Sequence, residues 1–274
     1  MKSTTMGRAA IFGLAVMQFT NAVGEAIPLR EVLESFEKTG FPPSLLLFLV
    51  ASKLAAGVGL LLPGFRRLKE WVFAGILIDI LGAGASYVLA GHTEAFGFAM
   101  VPPSLALWGV AFFAFRRANG LPPAATPSTL SRWVDRVLAM GVLSAAVGEL
   151  LRAPPVMASM EVIHFPEHTL TILATAKLLA VAALLVPGFP TLRSWARAGL
   201  AFNFAGALYS YAAVGVFLLP DVPLLLLLSV VLAVSTTLAL RDASAAPVRS
   251  EPREPGARRG EPAASAAARP RPVG

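Results

Sequence analysis

The chain has 274 residues, 56% of them hydrophobic and 14% charged, with a mean hydropathy of +0.69 and a formal net charge of +7. Soluble domains run nearer about 45–50% apolar and ~25% charged, so a disordered chain, a collagen and an ordinary soluble enzyme are excluded and a multi-pass membrane protein is left. Cysteine is absent, which excludes a disulfide framework, a thiolate-ligated metal and thiol redox chemistry from the chain itself.

Crossing a bilayer core takes about 20 apolar residues of helix. Eight stretches reach that length: 9–28, 43–62, 72–90, 96–115, 133–151, 168–187, 195–215 and 218–240. Proline, glycine and charge separate them, at Pro28, Pro42-Pro43, Pro63-Gly64, Gly91, Pro187-Gly188 and Pro220. The first stretch follows Lys2 and Arg8 and ends near Ala22-Val23-Gly24, which has the look of a secretory signal. The Val-Gly-Glu text recurs mid-chain, so the first span is expected to be retained. Between Pro28 and Gly40, Leu29, Val32, Leu33 and Phe36 alternate with Glu31, Glu34 and Glu37 at helical spacing. That pattern predicts a short amphipathic helix, read here as a cap over the bundle.

Charge sets the expected topology. Of the 23 Lys and Arg, 18 fall at the N-terminus, in the even-numbered loops and in the tail, against Arg30, Lys38 and Arg152 in the odd-numbered loops. By the positive-inside rule both termini are expected in the cytoplasm, and the expected location is a bacterial cytoplasmic (inner) membrane. Arg193 and Arg197 are counted in the sixth loop. The residues from Asp242 to Gly274 are Ala, Pro, Arg and Glu without hydrophobic period, predicting a disordered cytoplasmic tail.

Shifting the chain by 124 residues superposes its halves without a gap, and 17 of 40 positions from Ser52 to Gly91 are identical to Ala176 to Gly215. Lys53 falls on Lys177, Pro63-Gly64-Phe65 on Pro187-Gly188-Phe189, Trp71 on Trp195, Ser86-Tyr87 on Ser210-Tyr211, and Gly24-Glu25 on Gly148-Glu149. Each copy holds four spans. An even number inserts both copies in the same orientation, related by an axis along the membrane normal. The expected architecture is all-α, a polytopic membrane bundle of eight transmembrane helices in two parallel-repeat four-helix units. Residues 1–116 form the first unit, 117–129 a cytoplasmic linker, 130–241 the second unit and 242–274 the tail.

The residues that could carry chemistry are the intramembrane polar ones, since charges there are costly and functional by default. Lys53 lies about 9 residues into its span, or ~14 Å deep, and Asp79 about 8 residues into the next, or ~12 Å. Antiparallel neighbours at matching depth can pair. In the second copy Asp79 becomes Asn203, so Lys177 needs another partner or becomes neutral. Glu25 and Glu149 sit near the outer ends of the first and fifth spans, with Ser86-Tyr87 and Ser210-Tyr211 at similar depth. Each copy thus offers a Glu, Ser, Tyr and Lys cluster suited to the polar head of a quinone or lipid, or to proton relay. The competing reading is interhelical hydrogen bonding that only fixes the bundle. Gly82-x-x-x-Ser86 and Gly206-x-x-x-Ser210 read as close-packing motifs. His164-Phe-Pro-Glu-His168 has metal-like spacing, but Pro166 interrupts it and a zinc site needs further ligands, so no metal is expected.

The repeated text, above all Leu68-Lys69-Glu70-Trp71 with Ala74-Gly75 and, less closely, Leu192-Arg193-Ser194-Trp195, resembles the DoxX-like family of small four-helix membrane proteins. Tyr87 and Tyr211 stand where that family often has histidine. The resemblance implies a fold more than a reaction. The broader superfamily includes a subunit linked to thiosulfate and quinone oxidation, and membrane chaperone-like proteins. The expected role is an accessory or binding subunit that holds a quinone-like or lipid-like molecule. The alternatives are a small-molecule transporter and a chaperone-like interaction protein without a ligand. No cofactor fingerprint is visible and a quinone is the candidate. The expected partners are the lipid bilayer and either a membrane protein or a second copy, not nucleic acid.

Overall fold

In the computed structural model, residues 5–27, 29–120, 127–216 and 221–245 are described, and all their regular structure is helical. The first copy holds α1 (Thr5–Ala26), α2 (Arg30–Thr39), α3 (Leu45–Leu61), α4 (Arg66–Ala90), α5 (Phe96–Ala99) and α6 (Val101–Asn119). The second holds α7 (Thr129–Leu150), α8 (Pro154–Val162), α9 (His168–Leu185), α10 (Pro190–Ala213) and α11 (Asp221–Ala245).

Local chemistry sets the breaks. α3 stops before Pro63, and Gly64 at φ 81° takes the left-handed turn that a Cβ disfavours. Gly188 does the same at φ 91° between α9 and α10. Pro190 opens α10, where a missing N–H costs nothing. α2 is the amphipathic helix read from the sequence, bent 82° from α1. α8 is its counterpart, 124 residues on. The left-handed residue closing α2 is Gly40 at φ 74°; the same position after α8 is His164 at φ 56°.

Within each copy the long helices close into a ring. In the first, α1 packs on α3, α3 on α4, α4 on α6 and α6 back on α1; in the second, α7, α9, α10 and α11 repeat that circuit. The two cores use the same repeat positions. Leu14, Ala15, Leu60, Ile76 and Ile80 line the first, and Leu138, Ala139, Leu184, Leu200 and Phe204 the second. The outer faces are apolar as well: Phe113, Met140, Leu179 and Val230 are each more than 60% exposed. A surface of that kind is a lipid-facing one, since water would penalise it.

Eight long helices stand where the eight spans are expected, but fewer meet the requirement for crossing a bilayer. Among the described residues four are long and apolar enough: Arg66–Ala90, Phe96–Asn119, His168–Leu185 and Val222–Ser244. A fifth is added if the bent α1–α2 pair counts as one span, while α3 is apolar but only 17 residues long. The charges of α7 and α10, including Asp135 and Arg197, explain why those two fall short.

The copies join through α4 and α10, with α3 against α10 and α4 against α9. These are equivalent elements, the pattern an isologous two-fold contact produces. Phe41 meets its own counterpart Phe165 edge-on at 5.5 Å. Trp71 donates to Ser194 at 3.1 Å, Arg116 to Thr191 at 3.2 Å and Tyr209 to the Ser44 carbonyl at 2.7 Å. Of the two small-residue motifs, Gly206 lies at this joint, where an added Cβ would be 3.4 Å from Phe48; Gly82 faces open space.

Two expected boundaries move. α11 continues through Ala245, so the first residues assigned to the tail are helical, and Asp242 accepts hydrogen bonds from the amide (3.0 Å) and hydroxyl (3.3 Å) of Ser128 at the start of α7. α6 likewise runs into the expected linker as far as Asn119. The expected tail beyond Ala245, the linker residues 121–126, Pro28 and the start of the eighth span at 218–220 lie outside the described residues.

Candidate functional site: repeated carboxylate–lysine pairs

The last turn of α1 carries Glu25, and α3, packed alongside it, carries Lys53 at mid-length. The Lys53 ammonium donates to Glu25 Oε1. Both side chains are covered, at 11% and 10% exposure. Asp79, on α4, brings its Oδ2 to 4.0 Å from the same ammonium and is less covered, at 28%. The Lys53–Asp79 contact reasoned from matched depth is therefore present, but as the longer of two, because Glu25 reaches the ammonium first.

The second copy repeats the arrangement. Lys177 of α9 donates to Glu149 Oε1 of α7, with side chains 11% and 9% exposed. Glu149 is the partner that the loss of a carboxylate at Asn203 requires. In both copies the second carboxylate oxygen, Glu25 Oε2 and Glu149 Oε2, is buried with no hydrogen-bond partner. A carboxylate has four lone-pair sites, so each pair keeps an unused acceptor beside a cation in an apolar interior.

The other expected members of the cluster are engaged elsewhere. Ser86 donates to the Gly82 carbonyl and Ser210 to the Gly206 carbonyl, each at 2.8 Å within its own helix. Such back-bonding satisfies the hydroxyl one turn away and removes it from the cluster. The buried Tyr87 turns toward α5, where its ring lies 6.4 Å from Phe98 and its hydroxyl fills the space a side chain at Gly97 would need. Tyr211 packs with Ile163 and Val222. The histidine segment forms no cluster: among the described residues no group of three His, Asp or Glu could hold a metal ion. Glu167 pairs instead with Arg152, and His168 lies edge-on to Phe41 at 5.9 Å.

Two buried ion pairs escape the reading from sequence. Arg197, counted there as a loop residue, is 6% exposed inside α10. Its Nη2 donates to both oxygens of Asp135 on α7, at 2.9 and 2.8 Å, and its Nε to Ser235 on α11 at 2.8 Å; Ser235 in turn donates to Asp135 at 2.6 Å. The equivalent positions in the first copy are Ile11, Phe73 and Ala111, part of the apolar core. Conversely Glu70 of α4 pairs with Arg116 of α6 at 3.2 Å, where the second copy has Ser194 and Leu240. The signal was available: Asp135 and Arg197 both lie inside the expected spans, and the 124-residue shift sets each polar residue against an apolar one.

Searches of curated proteins and of solved structures returned no match. The model of the DoxX-like family matches residues 10–112 and again residues 134–243, and the chain accordingly belongs to the DoxX-like family, as a membrane protein that carries the family's domain twice in tandem.

Proposed function

We propose that this chain is a binding or accessory subunit of the bacterial cytoplasmic membrane that holds the polar head of a quinone-like or lipid-like molecule against its Glu–Lys pairs. One observation carries the reading: a buried ammonium beside a carboxylate oxygen without a partner, at the same place in both halves of the chain. A buried ion pair adds little net stability compared with apolar packing. Retention of both members in two copies that differ at more than half of the positions compared therefore calls for a use other than stability. An ammonium donor next to a free carboxylate acceptor suits a carbonyl or hydroxyl head group, and the surrounding helices suit an apolar tail.

The same reading takes all eight long helices as spans, in two parallel four-helix units with both termini in the cytoplasm. The shortfall in α7 and α10 is met by pairing Asp135 with Arg197 within the protein, and α3 falls short of the length of a span by about a turn or less. Reporter fusions at both ends test this, and a periplasmic signal from either end refutes it.

For the binding site, the full chain is extracted in mild detergent and its retained quinones and phospholipids are identified by mass spectrometry. Glu25→Gln with Lys53→Met, and Glu149→Gln with Lys177→Met, each replace one buried pair by a neutral one of similar size. Loss of a retained molecule from these folded variants supports the reading. Retention equal to the parent chain refutes it.

A further inference from the structure

The two sites differ in charge. In the second copy, Lys177 and Glu149 sum to zero, and the third position holds the neutral Asn203. In the first, Lys53 faces two carboxylates, Glu25 and Asp79. With every group in its ordinary ionised state the first cluster is left with one negative charge, and Glu25 Oε2, on a side chain 90% covered, has no hydrogen-bond donor.

Among the described residues no cation besides Lys53 is paired with Glu25 or Asp79, and Arg8 of α1 and Arg66, Arg67 and Lys69 of α4 stand in the first turns of their helices, away from the cluster's positions along them. On α3, Lys53 is already counted. On α2, which packs on α4, Arg30 is exposed and paired with Glu34, alongside Glu31, Glu37 and Lys38. On α6, Arg116 is committed to Glu70, and Arg117 follows it in the last turn of the helix. Across the joint, α9 brings Lys177, held by Glu149, and His168, beside Phe41; α10 brings Arg197, held by Asp135, and Arg193, on the Val186 carbonyl.

We infer that the Glu25–Lys53–Asp79 cluster of the first copy is a proton-binding site that the second copy lacks. One carboxylate stays ionised on the Lys53 ammonium while the pair of carboxylates shares one added proton, which brings the cluster to zero net charge. Two carboxylates at one site cannot both hold a full charge cheaply in a low-dielectric interior. Asp79, the more exposed of the two, is the entry point, and Glu25 Oε2 is the acceptor left open. The site shares Glu25 and Lys53 with the head-group reading but needs no bound molecule, so the two stand or fall separately.

The test is infrared spectroscopy of the full chain in lipid nanodiscs at neutral pH, stripped of copurifying quinone, using phosphatidylcholine exchanged for native lipid. A protonated carboxyl gives a C=O stretch distinct from the carboxylate bands, and exposed carboxylates are ionised at that pH. The proposal expects this band in the parent chain, its loss in Asp79→Asn, and roughly its doubling in Asn203→Asp, which recreates the first copy's charge count in the second. Absence of the band from the parent chain overturns the proposal without any variant, and so does a band unchanged in Asp79→Asn. If Asp79→Asn does not fold, a folded Asn203→Asp with no additional band overturns it equally. A parent chain that retains neither quinone nor phospholipid in the mass-spectrometric experiment refutes the head-group reading and leaves these bands unmoved.

Discussion

Replacing Asp135 by alanine should be among the most damaging single substitutions in the chain. Asp135 and Arg197 are 5% and 7% exposed, and the carboxylate accepts two hydrogen bonds from one guanidinium nitrogen and a third from Ser235. Without it, Arg197 keeps its charge, since a guanidinium does not deprotonate, and retains only Ser235. Breaking a buried pair by removing one partner costs about 3–5 kcal/mol, and two charge-assisted hydrogen bonds at ~1.5–3 kcal/mol each reach the same range. The first copy supplies the control. Asp135→Ile, Arg197→Phe and Ser235→Ala together rewrite the triad as the Ile11, Phe73 and Ala111 core. Exchange of a buried ion pair for apolar packing is neutral or stabilising by about 1–4 kcal/mol. Equilibrium unfolding in mixed micelles, followed by tryptophan fluorescence, measures both. The order expected is single variant far below the parent and triple variant at or above it. A cost under about 1 kcal/mol for Asp135→Ala, the value of a solvated pair, would refute the reasoning; so would a triple variant as unstable as the single one.

The same unfolding assay reads three further predictions. Arg116→Leu leaves Glu70, 4% exposed, without its cation and should cost about 3–5 kcal/mol, recovered when Glu70→Ser is added to complete the second copy's sequence. Gly97→Ala would place a Cβ 1.9 Å from the Tyr87 hydroxyl and should destabilise by about 1–3 kcal/mol. Gly75→Ala, in α4 with open space around the new Cβ, should be neutral or stabilise by up to about 1 kcal/mol. Asp242→Ala removes the acceptor for the Ser128 amide and hydroxyl. It should cost no more than about 1 kcal/mol, as an exposed hydrogen bond does, and hydrogen exchange should accelerate in the first turn of α7 while the rest of α7 is unchanged.

Periodicity and the internal repeat made the helices and their order legible, because an apolar stretch bounded by Pro-Gly leaves few alternatives. The Pro63-Gly64 and Pro187-Gly188 turns and the α2 helix follow from residues that any reader can see. Partners were harder. The sequence gives the depth of Lys53 and Asp79 but not their azimuth around the helix, and azimuth decides that Glu25 is the nearer carboxylate. Ser86 and Ser210 have the right depth too, yet a hydroxyl one turn above a carbonyl bonds locally before it can join a cluster. Arg197 stands only two positions inside an apolar stretch, where a charge reads as part of the adjacent loop, and its acidic partner Asp135 lies 62 residues away on another helix.

The repeat separates the buried charges into two kinds. Each copy has an ion pair that the other lacks, Glu70–Arg116 in the first and Asp135–Arg197 in the second, and each of these leaves no buried polar atom without a partner. They lie within or beside the cores, and each is replaced by ordinary packing or small polar residues in the other copy, which shows that the fold can be built without it. Glu25–Lys53 and Glu149–Lys177 are the reverse: present in both copies, and unsatisfied in both at the same oxygen. A device that only holds helices together can be exchanged for uncharged side chains, as Ile11, Phe73 and Ala111 stand for one private pair and Ser194 and Leu240 for the other. An incompletely satisfied pair kept in both copies is harder to account for by packing, since packing would favour completing or replacing it. Chemistry in this chain should therefore be sought at the shared pairs, and the differences between the copies should be read first at Asp79 and Asn203, the one position where the two sites differ in charge.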